Sequence, residues 1–190
     1  MSDKIKKIHD VLRELEDKSS EGPYFNIPRQ TAEFLYLLVK VKKAKNILEV
    51  GMSNGYSTVW LASAAAGNKG KVTTIERDES KIKEAEDNFR KAGLSNITIL
   101  KGDALKLTKS LSEKYDFIFL DATKKEYINY LKNILMNNNI EDGAIITADN
   151  VVIFRDKVHE FLKFLREDKR FESTTLPLGT GLEFSVFREK

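Results

Sequence analysis

Ile47-Leu48-Glu49-Val50-Gly51-Met52-Ser53-Asn54-Gly55-Tyr56-Ser57 reads as a buried strand that ends in an acid, turns through two glycines and opens a helix. Glycines in such a turn let a ligand lie against bare backbone at a helix N-terminus, where N–H groups and the helix dipole face outward. The next strand-like run, Lys71-Val72-Thr73-Thr74-Ile75-Glu76, ends in a second acid. Its distance from the glycines, roughly 20 residues, is that at which an acid grips ribose hydroxyls. The pair implies a nucleoside cofactor.

Working outward, short apolar runs recur at Asn46–Val50, Lys71–Glu76, Asn96–Leu100, Phe117–Asp121 and Ala144–Asp149. Helical stretches separate them at Ser57–Ala66, Ser80–Ala92, Leu105–Leu111 and Lys124 to about Met136. Strands alternating with helices predict right-handed crossovers and a mostly parallel, doubly wound α/β sheet. The continuous apolar run Phe117-Ile118-Phe119-Leu120 fits a sheet covered on both faces. Upstream, Ile5, Ile8, Val11, Leu12 and Leu15 keep helical spacing over about 3–18, Ser19 to Pro23 breaks that helix, and Pro28 opens another. After an amphipathic helix around Phe154–Leu165, Phe171–Leu176 and Leu182–Arg188 flank the Gly-rich loop Pro177-Leu178-Gly179-Thr180-Gly181. These two strands are expected to pair antiparallel and close the sheet. No repeat or linker divides the 190 residues, which read as one domain with helices of residues 1–40 over the site.

Composition excludes several classes. There is no cysteine, hence no disulfide, thiolate metal site or thiol nucleophile. No apolar run is long enough to span a bilayer, and Met1-Ser2-Asp3-Lys4 leads into no apolar signal segment, so a cytoplasmic protein is expected. A net charge of +3 permits an anionic partner; the densest basic group, Lys40, Lys42, Lys43 and Lys45, also reads as a solvated connector.

Glu49-x-Gly51-x-x-x-Gly55 is not the closely spaced glycine fingerprint that seats a pyrophosphate, and an acid ahead of it would repel one. An acid can instead engage an amino-acid or sulfonium end, which favours S-adenosylmethionine (AdoMet) over NAD. The glycines can alternatively serve turn geometry alone. Asp103 in Gly102-Asp103-Ala104 can meet an adenine amino group, cap the helix that follows, or both. Asp121, Asp149 and Asn150 stand at the carboxyl ends of neighbouring strands and suit a hard octahedral cation such as Mg²⁺. Lys124, three residues after Asp121, can point back over the same crevice, where a dication would disfavour its ammonium form and let it act as a base. Each also has an ordinary reading: a helix cap, a solvated lysine, an Asx turn.

The motifs Glu49-x-Gly51-x-x-x-Gly55-Tyr56-Ser57, Glu76, Gly102-Asp103-Ala104, Asp121-x-x-Lys124-x-x-Tyr127, Asp149-Asn150 and Gly181-Leu182-Glu183, over roughly residues 22–190, together resemble the class I AdoMet-dependent methyltransferases. Within these the chain is similar to the cation-dependent O-methyltransferases of the catechol and caffeoyl-CoA type. The resemblance implies a Rossmann-like seven-stranded sheet of order 3-2-1-4-5-7-6. It implies that Asn26, Ile27, Gly51, Tyr56 and Ser57 line the methionine end of AdoMet, with Ser57 at its carboxylate; Glu76 holds the ribose and Ala104 lies near adenine. Asp121, Asp149 and Asn150 match metal ligands, Asp121 also meeting the AdoMet amino group. Lys124 matches the catalytic base, and Glu183 an acid that binds a second substrate hydroxyl. The gatekeeper positions of the catechol enzymes fall on Pro23, Thr123 and Phe154, a departure that argues against catechol itself. A shorter N-terminal cover implies a more open site.

The expected function is therefore metal-dependent O-methylation of a small catechol-like or other vicinal-diol substrate, by a cytoplasmic homodimer. Lys124, Asn150 and Glu183 would contact the substrate. One alternative is methylation of a wobble 5-hydroxyuridine in tRNA, as in bacterial relatives; another is a non-catalytic nucleotide- or RNA-binding module on the same fold.

Overall fold

The protein is described here from a computed structural model covering residues 3–21 and 26–189. Pro23, matched above to a gatekeeper, lies outside the described residues. In chain order the elements are α1 (Asp3–Glu21), α2 (Arg29–Lys42), β1 (Asn46–Val50), α3 (Tyr56–Ala66), β2 (Lys71–Glu76), α4 (Glu79–Ala92), β3 (Ile97–Lys101), α5 (Ala104–Leu107), β4 (Tyr115–Leu120), α6 (Tyr127–Met136), β5 (Ile140–Ala148), α7 (Arg155–Glu167), β6 (Phe171–Leu176) and β7 (Leu182–Phe187). Lys124–Glu126 forms a 3₁₀ turn ahead of α6.

The seven strands form one sheet of order β3-β2-β1-β4-β5-β7-β6. β1 to β5 pair parallel, and β7 runs antiparallel to both β5 and β6. This is the Rossmann-like order, with its closing hairpin, that the resemblance implies. The pleat sorts side chains into two layers. Ile47, Val72, Phe117, Phe119 and Leu182 pack with α1 to α4 on one face. Leu48, Val50, Ile118, Leu120, Ile146 and Ala148 pack with α6 and α7 on the other. Each of these Val, Leu, Ile and Phe side chains fully removed from water contributes about 1.5–3 kcal/mol. The double cover explains why β4 is buried along its length.

Local chemistry sets the helix ends. The Asp78 carboxylate accepts the Ser80 and Lys81 amides at the start of α4, and Gly93 ends it at φ 66°. The expected helix over Leu105–Leu111 shrinks to one turn, capped by Asp103. β5 begins four residues earlier than its apolar run, at Ile140. The β4–β5 register shifts between Tyr115 and Phe117, and Asp116 turns to accept the Lys45 and Asn46 amides.

Strand order reverses at β1, between β2 and β4. There the turn after β1 meets the end of β4 so closely that a Cβ on Gly51 would stand 2.5 Å from the Asp121 carbonyl oxygen. Gly51 also sits at φ +102°, which L side chains rarely adopt. The carboxyl edge at this switch point is where parallel sheets hold ligands. Among the described residues no helix is long and apolar enough to cross a membrane.

Candidate active site

A cavity of ≈ 880 Å³ opens at that carboxyl edge, within the usual range of small-molecule sites. It gathers the turn after β1, the ends of β2, β3, β4 and β5, the segment leading into α2, and Thr180 of the β6–β7 loop. Asn26, Ile27, Gly51, Tyr56, Ser57, Glu76, Asp103, Ala104, Asp121, Lys124, Asp149 and Asn150 all border it. Thr123 and Phe154 stand at the same cavity.

Glu49, Gly55 and Glu183 do not border it. Glu49 is fully buried beneath the first turn of α3. It accepts hydrogen bonds from Ser57 (2.6 Å), Thr58 and Thr74 (2.6 Å). It ties β1, β2 and α3 together beneath the turn. Gly55 serves packing: a Cβ there would lie 2.6 Å from the Phe89 ring of α4. Glu183, buried on β7, is gripped by both terminal nitrogens of the Arg166 guanidinium and by Thr175 (2.6 Å). Both of its oxygens are engaged, by Arg166 of α7 and Thr175 of β6.

The cofactor side has a defined donor and acceptor pattern. Ser53 donates its amide to Glu76 Oε2 at 2.9 Å, and Arg77 and Asp78 donate theirs to Oε1 at 2.9 and 3.0 Å. Three of a carboxylate's roughly four acceptor positions are thereby filled, leaving Glu76 room for about one ribose hydroxyl. Asn54, 1% exposed, accepts the Tyr56 amide through Oδ1, while its Nδ2 has no hydrogen-bond partner among the described residues. A buried donor without a partner, beside a helix N-terminus, fits a ligand carboxylate. Residue type does not mark Asn54 in the sequence, because Gly51 and Gly55 account for that turn. Asn26 Nδ2 donates to the Leu15 carbonyl (3.0 Å), and Tyr56 donates its hydroxyl to Glu16 (2.7 Å). These bonds moor α1 over the cofactor side.

On the opposite wall Lys124 donates to Asp121 Oδ1 at 2.7 Å, and both side chains are largely buried. The Lys124 ammonium lies 5.5 Å from the centre of the Tyr127 ring. Tyr127 is fully buried, meets Phe161 edge-on and donates its hydroxyl to the Asp149 carbonyl at 3.3 Å. Burial pushes the Asp121 carboxyl up to about 6; Lys124 opposes that shift and Asp149 adds to it. Burial raises Asp149 too, against hydrogen bonds from the Asn150 amide and Thr180. Among the described residues no group of three or more His, Cys, Asp or Glu side chains is placed to hold a metal. The set at this wall is two carboxylates and an amide. Those hard oxygen donors, with two buried acids resisting ionisation, fit a divalent cation, which would relieve their repulsion.

Glu49 carries a separate consequence. Burial raises its carboxyl from 4.5 to about 7, against three hydroxyl donors that favour the charged form. An acid raised in the folded state contributes stability below its unfolded value, and that contribution is lost as pH rises through the folded value. At about 1.4 kcal/mol per unit, the folded protein should lose about 3 kcal/mol between pH 4.5 and just above 7 through this group. Glu49→Gln should flatten that part of the urea-denaturation profile; an unchanged slope would refute the assignment.

The chain is similar to known O-methyltransferases. The family model described as O-methyltransferase matches residues 2–187. A catechol O-methyltransferase of Niastella koreensis is 37% identical over 135 residues, spanning 68% of this chain and 60% of that protein. A caffeoyl-CoA O-methyltransferase of Medicago sativa is 30% identical over 200 residues, spanning 92% and 80%. An O-methyltransferase from Bacillus cereus, solved in complex with SAH, superposes with a TM-score of 0.83 at 27% identity, covering 96% of this chain and 91% of that one.

Proposed function

This chain belongs to the O-methyltransferase family, and from that premise we propose that it methylates a hydroxyl oxygen held beside Lys124 by a divalent cation on Asp121, Asp149 and Asn150. It is an AdoMet-dependent O-methyltransferase. The observation that supports the finer reading is the meeting of Lys124, Asp121, Asp149 and Asn150 in the same cavity as the cofactor turn. When bound, the cation supplies Lewis acidity that lowers the pKa of a chelated hydroxyl and disfavours a neighbouring ammonium.

The chain's own residues do the rest. Lys124 Nζ, as the free amine, takes the hydroxyl proton; it sits 5.5 Å from the centre of the Tyr127 ring. The turn from Gly51 to Ser57 and Glu76 orient the methyl donor, so that oxygen and methyl meet in line; positioning of this kind supplies much of a two-substrate rate enhancement.

Because Glu183 is committed to Arg166, a second acceptor hydroxyl has no acid partner there, and recognition of a vicinal diol rests on the cation. The acceptor is a small hydroxylated molecule with two neighbouring oxygens. A second reading, a wobble 5-hydroxyuridine of tRNA, draws support from Arg77 and Lys81 at the cavity wall. Labelled AdoMet offered with catechols, other vicinal diols and total tRNA separates the two. Label is expected in a small-molecule diol; label in tRNA alone would replace that reading with the second.

A further inference from the structure

The β6–β7 loop reaches the cavity through Thr180. A Cβ on Gly181 would stand 2.3 Å from Val152 Cγ2, and one on Gly179 would stand 2.7 Å from Thr31 Oγ1. Both residues have positive φ, +94° and +57°. The loop is thus pressed between α2 and the segment after β5. The Thr180 carbonyl accepts the Val152 and Ile153 amides at 3.2 and 3.3 Å, and the Gly181 carbonyl accepts the Val151 amide at 3.0 Å. These bonds hold Thr180 directly over Asp149 and Asn150.

Its hydroxyl then makes two contacts of opposite sense. It donates to Asp149 Oδ1 at 3.2 Å and accepts from Asn150 Nδ2 at 2.7 Å. A hydroxyl has one proton and two lone pairs, so the assignment is self-consistent: the proton goes to the carboxylate, a lone pair to the amide. Committing the amide nitrogen to Thr180 leaves Oδ1 as the Asn150 atom able to ligate a cation. The other bond, from the Thr180 hydroxyl, fixes one oxygen of Asp149. Asn150 itself sits at φ 64°, in the left-handed region.

We propose that Thr180 is a positioning residue for the cation donors, turning the Asn150 amide oxygen and the Asp149 carboxylate toward a divalent cation from the β6–β7 loop. The inference rests on the cation reading above. Removing an outer hydrogen bond to a metal ligand typically weakens metal binding roughly 10–100-fold.

The test is direct Mn²⁺ titration, with free Mn²⁺ followed by electron paramagnetic resonance, on the wild type, Thr180→Val and Thr180→Ser. AdoMet affinity is measured alongside by calorimetry without metal. Thr180→Val should bind Mn²⁺ roughly 10–100-fold more weakly, Thr180→Ser should stay near wild type, and AdoMet affinity should hold in both. Should Thr180→Val unfold, Thr180→Ala removes the hydroxyl without adding volume and carries the same test. Wild-type Mn²⁺ affinity in the variant lacking the hydroxyl would overturn the role of Thr180 alone, as would a serine variant as weak as valine. A wild type that takes up no Mn²⁺ would overturn the cation reading and this inference with it.

Discussion

Replacing Lys124 by alanine should lower the methyl-transfer rate roughly 10²–10⁴-fold, the range a positioned base supplies, with AdoMet affinity nearly unchanged. The asymmetry follows from placement. Lys124 starts the 3₁₀ turn before α6 and reaches Asp121 at 2.7 Å, whereas the cofactor side is built from the turn after β1 and the end of β2. Lys124→Ala therefore removes the proton acceptor and leaves the Gly51-to-Ser57 turn and Glu76 in place. Single-turnover kinetics with AdoMet binding measured separately checks this. Wild-type turnover in the variant would remove Lys124 as the base, and a matching loss of AdoMet binding would reassign it to the cofactor.

The second large effect belongs to Gly51. An alanine there would place a methyl group 2.5 Å from the Asp121 carbonyl oxygen and 2.7 Å from its carbonyl carbon, at a φ of +102°. Neither contact is a flexible side-chain end, so β1 and β4 would have to part. Overpacking and backbone strain each cost about 1–3 kcal/mol. Gly51→Ala should lose about 2–6 kcal/mol by chemical denaturation, a large share of a domain's stability. Because the displaced backbone belongs to Asp121, any folded fraction should also bind AdoMet poorly. A variant with the wild-type denaturation midpoint would show that the strands tolerate separation at the switch point.

Much of this was legible in the chain. The bounds of β1 and β2 coincide with their strand-like runs because buried parallel strands carry their signal in residue type, and those of β6 with the stretch before the Gly-rich loop. The site acids were legible because a strand's carboxyl end is a place that sequence marks, by the residue after the last apolar one. Burial and pairing were not. Glu49 and Glu183 looked like ligand-facing acids, yet three hydroxyls enclose the first and Arg166, seventeen residues earlier, takes the second. No local spacing announces a partner from another layer of the fold. Thr180 and Asn54 escaped for the converse reason. Each sits in a turn whose glycines account for the backbone, and its chemistry depends on which strand end the turn is pressed against.

The central claim is that the oxygen set at Asp121, Asp149 and Asn150 works through a divalent cation. The most direct test is the rate of methyl transfer from labelled AdoMet to a diol acceptor after EDTA treatment and dialysis, then after stepwise return of Mg²⁺. Activity should vanish in the stripped protein and return with added Mg²⁺. Full activity in excess chelator would contradict the account.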